Sequence, residues 1–159
     1  MKIVIFAHSF PPIIGGGQTY QYYLAKFLSD FGHQVKVVTG TIPADYENKS
    51  FPYEGFEVVS LEGFKEVSKL KIALDSFIEK AYQAIAPFDP DIVYTQGFSP
   101  CLIYSLIQAS LSAKHVFTYH STPIPEDKKI VGIFKECQES LLVDTHSMNE
   151  VDGIWLAAS

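Results

Sequence analysis

Lys2 to Ala7 (KIVIFA) is an unbroken apolar run after its first residue, the pattern of a strand covered on both faces. Tyr20, Tyr23, Leu24, Phe27, Leu28 and Phe31 then recur at three- and four-residue spacing. That period predicts a helix with those side chains as its apolar face, capped by Gly32. Val35 to Thr39 (VKVVT) predicts a second strand and Glu57 to Leu61 (EVVSL) a short third one. Between them lies a loop from Gly40 to Gly55 with Pro43, Asn48 and Pro52. It exceeds the ~12–15 residues beyond which loops in compact domains are usually functional or mobile.

Leu70, Leu74, Phe77, Ile78, Ala81, Tyr82 and Ile85 mark a second long helix, which Pro87 and Pro90 end. Ile92 to Thr95 is the fourth strand. Ser99-Pro100 reads as an N-cap with Pro at the first helical position, opening a helix to about Ser112. Val116 to Tyr119 is the fifth strand. Glu126 to about Ser147 reads as a helix with acidic residues in its first turn, and Gly153 to Ala158 as a sixth strand. Strands alternating with helices imply right-handed crossovers and a parallel sheet. The expected fold is one α/β domain, a doubly wound Rossmann-like parallel sheet with helices on both faces. Ligands in such sheets bind beyond the carboxyl ends of the strands, at the switch point. The loops after Ala7, Thr39, Thr95 and Tyr119 are therefore the ones to inspect.

Composition narrows the function. Hydrophobic residues make up 47% of the chain and charged ones 19%, which excludes a disordered chain. No apolar run approaches the ~18 residues of a membrane span, and the first run is too short for a secretory signal. Twelve lysines oppose eighteen acidic residues, for a net charge of -6, and arginine is absent. No basic patch is visible, so a nucleic-acid partner is not expected. Any bound anion must be held by lysine, by backbone N–H groups or by a helix N-terminus. Cys101 and Cys137 sit in apolar surroundings without a CxxC pattern, as buried free thiols do. Asn48-Lys49-Ser50 matches a glycosylation sequon but is read as coincidental without a secretory signal.

The first loop runs His8-Ser9-Phe10-Pro11-Pro12-Ile13-Ile14-Gly15-Gly16-Gly17 straight into the first helix. Three glycines let the backbone approach a ligand with no Cβ in the way, and the helix N-terminus there suits a phosphate. It is not the dinucleotide fingerprint, because bulky residues follow the strand and no acidic residue ends the second strand. No Gly-Lys-Ser/Thr phosphate loop and no G-x-S-x-G elbow occur. His120, in Tyr119-His120-Ser121, falls on the carboxyl edge, where an imidazole can donate a hydrogen bond or exchange a proton. Thr95, Gln96 and Gly97 follow the fourth strand and are expected to face the same cleft. His8 holds the equivalent place after the first strand and reads as support for the glycine turn. His33, His115 and His146 fall elsewhere, and the five histidines show no metal-ligand spacing.

Phe10-Pro11-Pro12, Gly15-Gly16-Gly17, Tyr20, Leu24-Ala25, Leu28, Gly32-His33, Val35-Val37 and Thr39 together resemble the N-terminal signature of family 4 retaining glycosyltransferases. Pro90 to Tyr94, Phe117 to His120 and Val151 to Ser159 resemble that family's later stretches, in the same order. The resemblance implies one half of a glycosyltransferase-B fold, with residues 1–159 as the N-terminal, acceptor-side domain. It also implies a donor-binding C-terminal domain, which is expected to be absent from this chain. Carried over by position, Gly16 and Gly17 would lie against a nucleotide-sugar diphosphate, with Gly15 in the same binding turn. Gln96 and Gly97 depart from the family pattern, in which many members carry histidine after this strand. As polar, small residues beside the cleft they are expected, with Gln18, to contact substrate. His120 would hydrogen-bond the transferred sugar as the catalytic residue. The implied reaction moves a sugar from a nucleotide-diphosphate donor to an acceptor hydroxyl with retention. It needs no metal and no cofactor beyond the donor as co-substrate. The implied setting is cytoplasmic, either free or peripheral at the inner membrane face, although the negative charge lends no support to membrane contact. The alternative is a standalone sugar- or nucleotide-binding module, or half of a split enzyme.

Overall fold

The computed structural model describes residues 1–40, 42, 52–63 and 74–118. The helix expected over Glu126–Ser147, the strand over Gly153–Ala158, His120, His146 and Cys137 lie outside the described residues. So does the start expected at Leu70 for the second long helix.

The described elements run β1 (Lys2–Ala7), α1 (Gly16–Asp30), β2 (Gln34–Gly40), β3 (Glu57–Leu61), α2 (Leu74–Ile85), β4 (Ile92–Gln96), α3 (Phe98–Ile107) and β5 (Lys114–Thr118). Short 3-10 turns follow α2 and α3. The five strands form one parallel sheet in the order β3-β2-β1-β4-β5. The chain steps from β1 to one side through β2 and β3. It then crosses back to continue on the other side with β4 and β5. Right-handed crossovers consequently put α1 on one face of the sheet and α2 and α3 on the other.

Each face has its own core, because successive strand side chains point to opposite sides. Val4, Phe6, Val38 and Val93 meet Phe77, Ala81 and Ile85 of α2 and Ile103, Tyr104 and Ile107 of α3. Ile5, Val35, Val37 and Tyr94 meet Tyr22 and Ala25 of α1, together with Phe10 and Phe56. Fully burying a side chain such as Phe6 or Ile103 is worth about 1.5–3 kcal/mol before chain entropy is counted. Lys36 ties the sheet to the end of α2. Its ammonium lies 3.4 Å from Glu57 and 5.3 Å from the centre of the Phe88 ring.

Several boundaries differ from the sequence expectation for local reasons. α1 buries Gln21, Tyr22 and Ala25. Of the residues the apolar period names, Leu24 and Leu28 pack against that core, whereas Tyr20, Tyr23, Phe27 and Phe31 are exposed. Its C-terminus does follow expectation. Gly32 has φ 83°, its N–H donates to Ser29 O and the His33 N–H donates to Leu28 O, which is the Schellman arrangement. α3 begins at Phe98 with Gly97 as its N-cap, two residues earlier than Ser99-Pro100 suggests. β4 runs on to Gln96 because its backbone stays paired with Ala7 and Thr118. β5 starts two residues before Val116 for the same reason, with Lys114 opposite Ile92.

Candidate functional site at the switch point

The sheet order reverses direction between β1 and β4, so their carboxyl ends flank the crevice where doubly wound folds bind ligands. The loop leaving β1 is anchored there by Phe10. Its buried ring sits among Tyr22, Tyr53 and Phe56, at centroid distances of 6.4, 5.9 and 6.2 Å. The Tyr53 hydroxyl donates to Pro11 O, and the Tyr22 hydroxyl donates to Pro52 O at 3.1 Å. Pro11-Pro12 is a cis peptide, and the Ile13 N–H closes the turn onto Phe10 O at 3.2 Å. A rigid aromatic box thus carries the loop to the start of α1.

Gly15 is the N-cap and uses no side chain to cap the helix. The first intrahelical bond there runs from the Thr19 N–H to Gly15 O at 2.9 Å. The amides of Gly16, Gly17 and Gln18 precede it and have no intrahelical acceptor. The first turn of α1 carries no acidic residue, so nothing there repels an anion from the positive end of the dipole. The three glycines differ. A Cβ on Gly15 would run into the Gln18 carboxamide, one on Gly17 would lie 3.1 Å from Gln96 Nε2, and one on Gly16 would meet nothing within 4 Å. Gln18 is held in turn by a 2.6 Å hydrogen bond from its Nε2 to Ser9 Oγ.

Gln96 ends β4 beneath this turn. It is only 8% exposed, and its buried Oε1 finds no hydrogen-bond partner among the described residues. An orphaned buried acceptor costs about 1–3 kcal/mol, so a donor from a ligand or an ordered water would be stabilising there. Strand register places Thr39, Ala7, Gln96 and Thr118 across the same face at this edge. Thr39 Oγ1 and Gln21 Oε1 are likewise buried without a described partner. Ala7 contributes only a methyl group between them, so the floor under α1 is polar on either side of β1. Tyr94 lies one pleat deeper. Burial raises its hydroxyl pKa, Thr118 pulls it back and Tyr20 adds to the rise.

The expected cleft residues divide accordingly. Gln18, Gln96 and the glycines come together at the edge. Gly97 follows with φ 82° and ψ 168°, and its N–H donates to Thr118 O at 3.1 Å. Thr95 does not face the cleft. It is fully buried on the α2–α3 face, and its hydroxyl lies 2.8 Å from His115 Nε2. The alternation of strand side chains requires this once Gln96 faces α1. The His115 ring packs 4.6 Å from that of Tyr104, and desolvation lowers its pKa to about 4. Burial pushes the Tyr104 hydroxyl up to about 12. His8 is exposed at the end of β1. Cys101 is buried and forms no disulfide with another described residue. Sequence reasoning missed Gln21 and Thr39. Only their register positions, one turn after Gly17 and level with Ala7, would have singled them out. A second hollow of about 350 Å³, lined by Met1, Lys2, Gly32, Gln34, Asp89 and Asp91, opens at the amino edge of the sheet, away from this site. Among the described residues no group of three or more His, Cys, Asp or Glu gathers as metal ligands. None of the described helices is long and apolar enough to cross a membrane.

The family model described as Glycosyltransferase Family 4 matches residues 14–142, well over half of the chain. The chain belongs to glycosyltransferase family 4. The match begins at Ile14, on the threshold of the glycine turn. Among solved structures, this family 4 chain is similar to sucrose-phosphate synthase from Thermosynechococcus elongatus, with a TM-score of 0.62 at 13% identity. The alignment covers 99% of this chain and 47% of that one, so the chain spans about half the length of that structure. At this identity the likeness speaks to the fold, a Rossmann-like sheet of the kind that forms one half of a glycosyltransferase-B enzyme. Among curated protein sequences nothing matches the family 4 chain.

Proposed function

We propose that this chain is the N-terminal, acceptor-side domain of a retaining glycosyltransferase that moves a sugar from a nucleotide-diphosphate donor to an acceptor hydroxyl. The observation that carries this reading is the glycine turn opening α1 at the β1–β4 switch point, directly above the orphaned Gln96 oxygen. The two parts favour different ligand groups. The Gly16 and Gly17 amides and the helix dipole suit the donor diphosphate, whose oxygens only accept. The carboxamide oxygen of Gln96 accepts only, so it suits a hydroxyl. In this reading Gly15 shapes the turn, Gln18 holds it against Ser9, and Gly97 lets the β4 loop pass close to the sugar. His120, outside the described residues, is assigned to the transferred sugar.

Developing charge on the leaving diphosphate would be stabilised by preorganised amides, and closure against a donor-binding domain would exclude water. No metal step is invoked. Nuclear magnetic resonance of the 159-residue chain titrated with a nucleoside diphosphate, and separately with a free hexose, tests the reading. The expected result is that the diphosphate shifts the Gly16 and Gly17 amide signals and the hexose shifts the Gln96 side-chain amide. Shifts confined to the hollow at Lys2, Gln34 and Asp91 would overturn it.

A further inference from the structure

α1 is apolar on two sides. One side packs Tyr22 and Ala25 onto the sheet. The other turns Tyr20, Tyr23, Phe27 and Phe31 to solvent, 45, 60, 60 and 67% exposed. The Phe27 and Phe31 rings lie 4.5 Å apart and so form one continuous aromatic surface. Ile13 and the 81% exposed Ile14 extend it just before the helix. Scattered exposed apolar residues need no explanation, but a contiguous stripe of this size marks an interaction surface.

We propose that this stripe joins two copies of the chain through an antiparallel α1–α1 contact. Area is the first argument. Aromatic side chains carry about 150–250 Å² each, so at these exposures the stripe and the two isoleucines offer on the order of 600 Å² per copy. A pair would bury about 1,200 Å², the lower bound for a specific interface. Charge is the second argument. α1 has no acidic residue in its first turn and no basic residue in its last, and Asp30 stands at the negative end of its dipole, 3.4 Å from Lys26. An antiparallel neighbour lays each Asp30 beside the positive half of the other helix. It also brings the exposed Phe31 of each copy toward Ile14 of the other, as a two-fold contact requires. An anionic lipid surface is disfavoured as occupant, because the chain carries a net charge of -6.

Sedimentation equilibrium of the 159-residue chain over a micromolar concentration series tests the proposal. The expected mass approaches twice the 17.8 kDa of the chain. Phe27→Ser with Phe31→Ser should raise the dimer dissociation constant about tenfold or more at unchanged helicity. Leu106→Ser, at an exposed apolar position on α3, should leave the dimer intact. Should the serine pair lose helicity, Tyr23→Lys provides the same reading. A monomer throughout, a dimer indifferent to the α1 changes, or a monomer that cosediments with phosphatidylcholine vesicles would each overturn the proposal.

Discussion

Gly15, Gly16 and Gly17 are indistinguishable in the sequence, yet the space around each one assigns it a different task. Gly16 has open space where a Cβ would stand, so Gly16→Ala should leave the melting temperature unchanged. The added methyl group would stand in the approach to the turn and weaken nucleoside diphosphate binding about tenfold, or roughly 1.4 kcal/mol. In Gly17→Ala the new methyl group meets Gln96 Nε2 at 3.1 Å, so the Gln96 side-chain amide signals should move even without ligand. The comparison of the two variants by calorimetric titration and by resonance shifts separates access from positioning. Gly97 needs its lack of a side chain for a different reason. Its φ of 82° with ψ of 168° lies where only glycine is comfortable, although nothing crowds a Cβ there. Gly97→Ala should therefore cost about 1–3 kcal/mol of stability, read as a lowered denaturant midpoint.

Strands and helices were legible from the sequence wherever one physical demand dominated. The doubly covered β1 and the short β3 have the expected bounds, because an unbroken apolar run or a tight turn on either side leaves little choice. The outward face of α1 was not legible. Periodicity records which side chains are apolar, not which of two apolar sides meets the sheet, and Gln21 is buried where Tyr20 is not. The same limit applies to Thr95, whose polarity suggested the cleft while its register sends it to the other core. That core contains His115, and its chemistry gives a pH signature. Burial keeps the imidazole neutral in the folded chain down to about pH 4, whereas the unfolded chain takes up the proton near pH 6.5. The unfolded state binds the extra proton between those values. Stability is thus complete above about pH 6.5, falls as pH drops toward 4 and then levels, with a loss on the order of 3 kcal/mol. His115→Gln should flatten this part of the profile in urea unfolding measured from pH 4 to pH 7. An equally steep fall in the variant would assign the slope to other groups.

At the scale of the whole molecule, the described sheet edge supplies acceptors and amides but no cation for a diphosphate. The chain has no arginine, and none of the side chains placed at the switch point is a lysine. A diphosphate held there relies on the dipole of α1, worth about 0.3–1 kcal/mol when exposed, and on charge-assisted amide bonds of about 1.5–3 kcal/mol each. After the cost of losing translational freedom, a net of about 4 kcal/mol is a reasonable ceiling. That corresponds to a dissociation constant near 1 mM. A nucleotide sugar at ten times that constant would then stabilise the fold by about 1.4 kcal/mol. For a domain of this size the melting temperature should rise by roughly 3–5 °C. The rise should be lost in Gly16→Val and should shrink with added salt, since both partners of the contact are exposed to screening. On the proposed reading the same chain should transfer no sugar to an acceptor, because closure against a donor-binding domain would be needed to exclude water and to supply positive charge. A submicromolar dissociation constant, or turnover by the 159 residues alone, would show that the charge and the closure come from within this chain. The division of labour between two halves would then have to be abandoned.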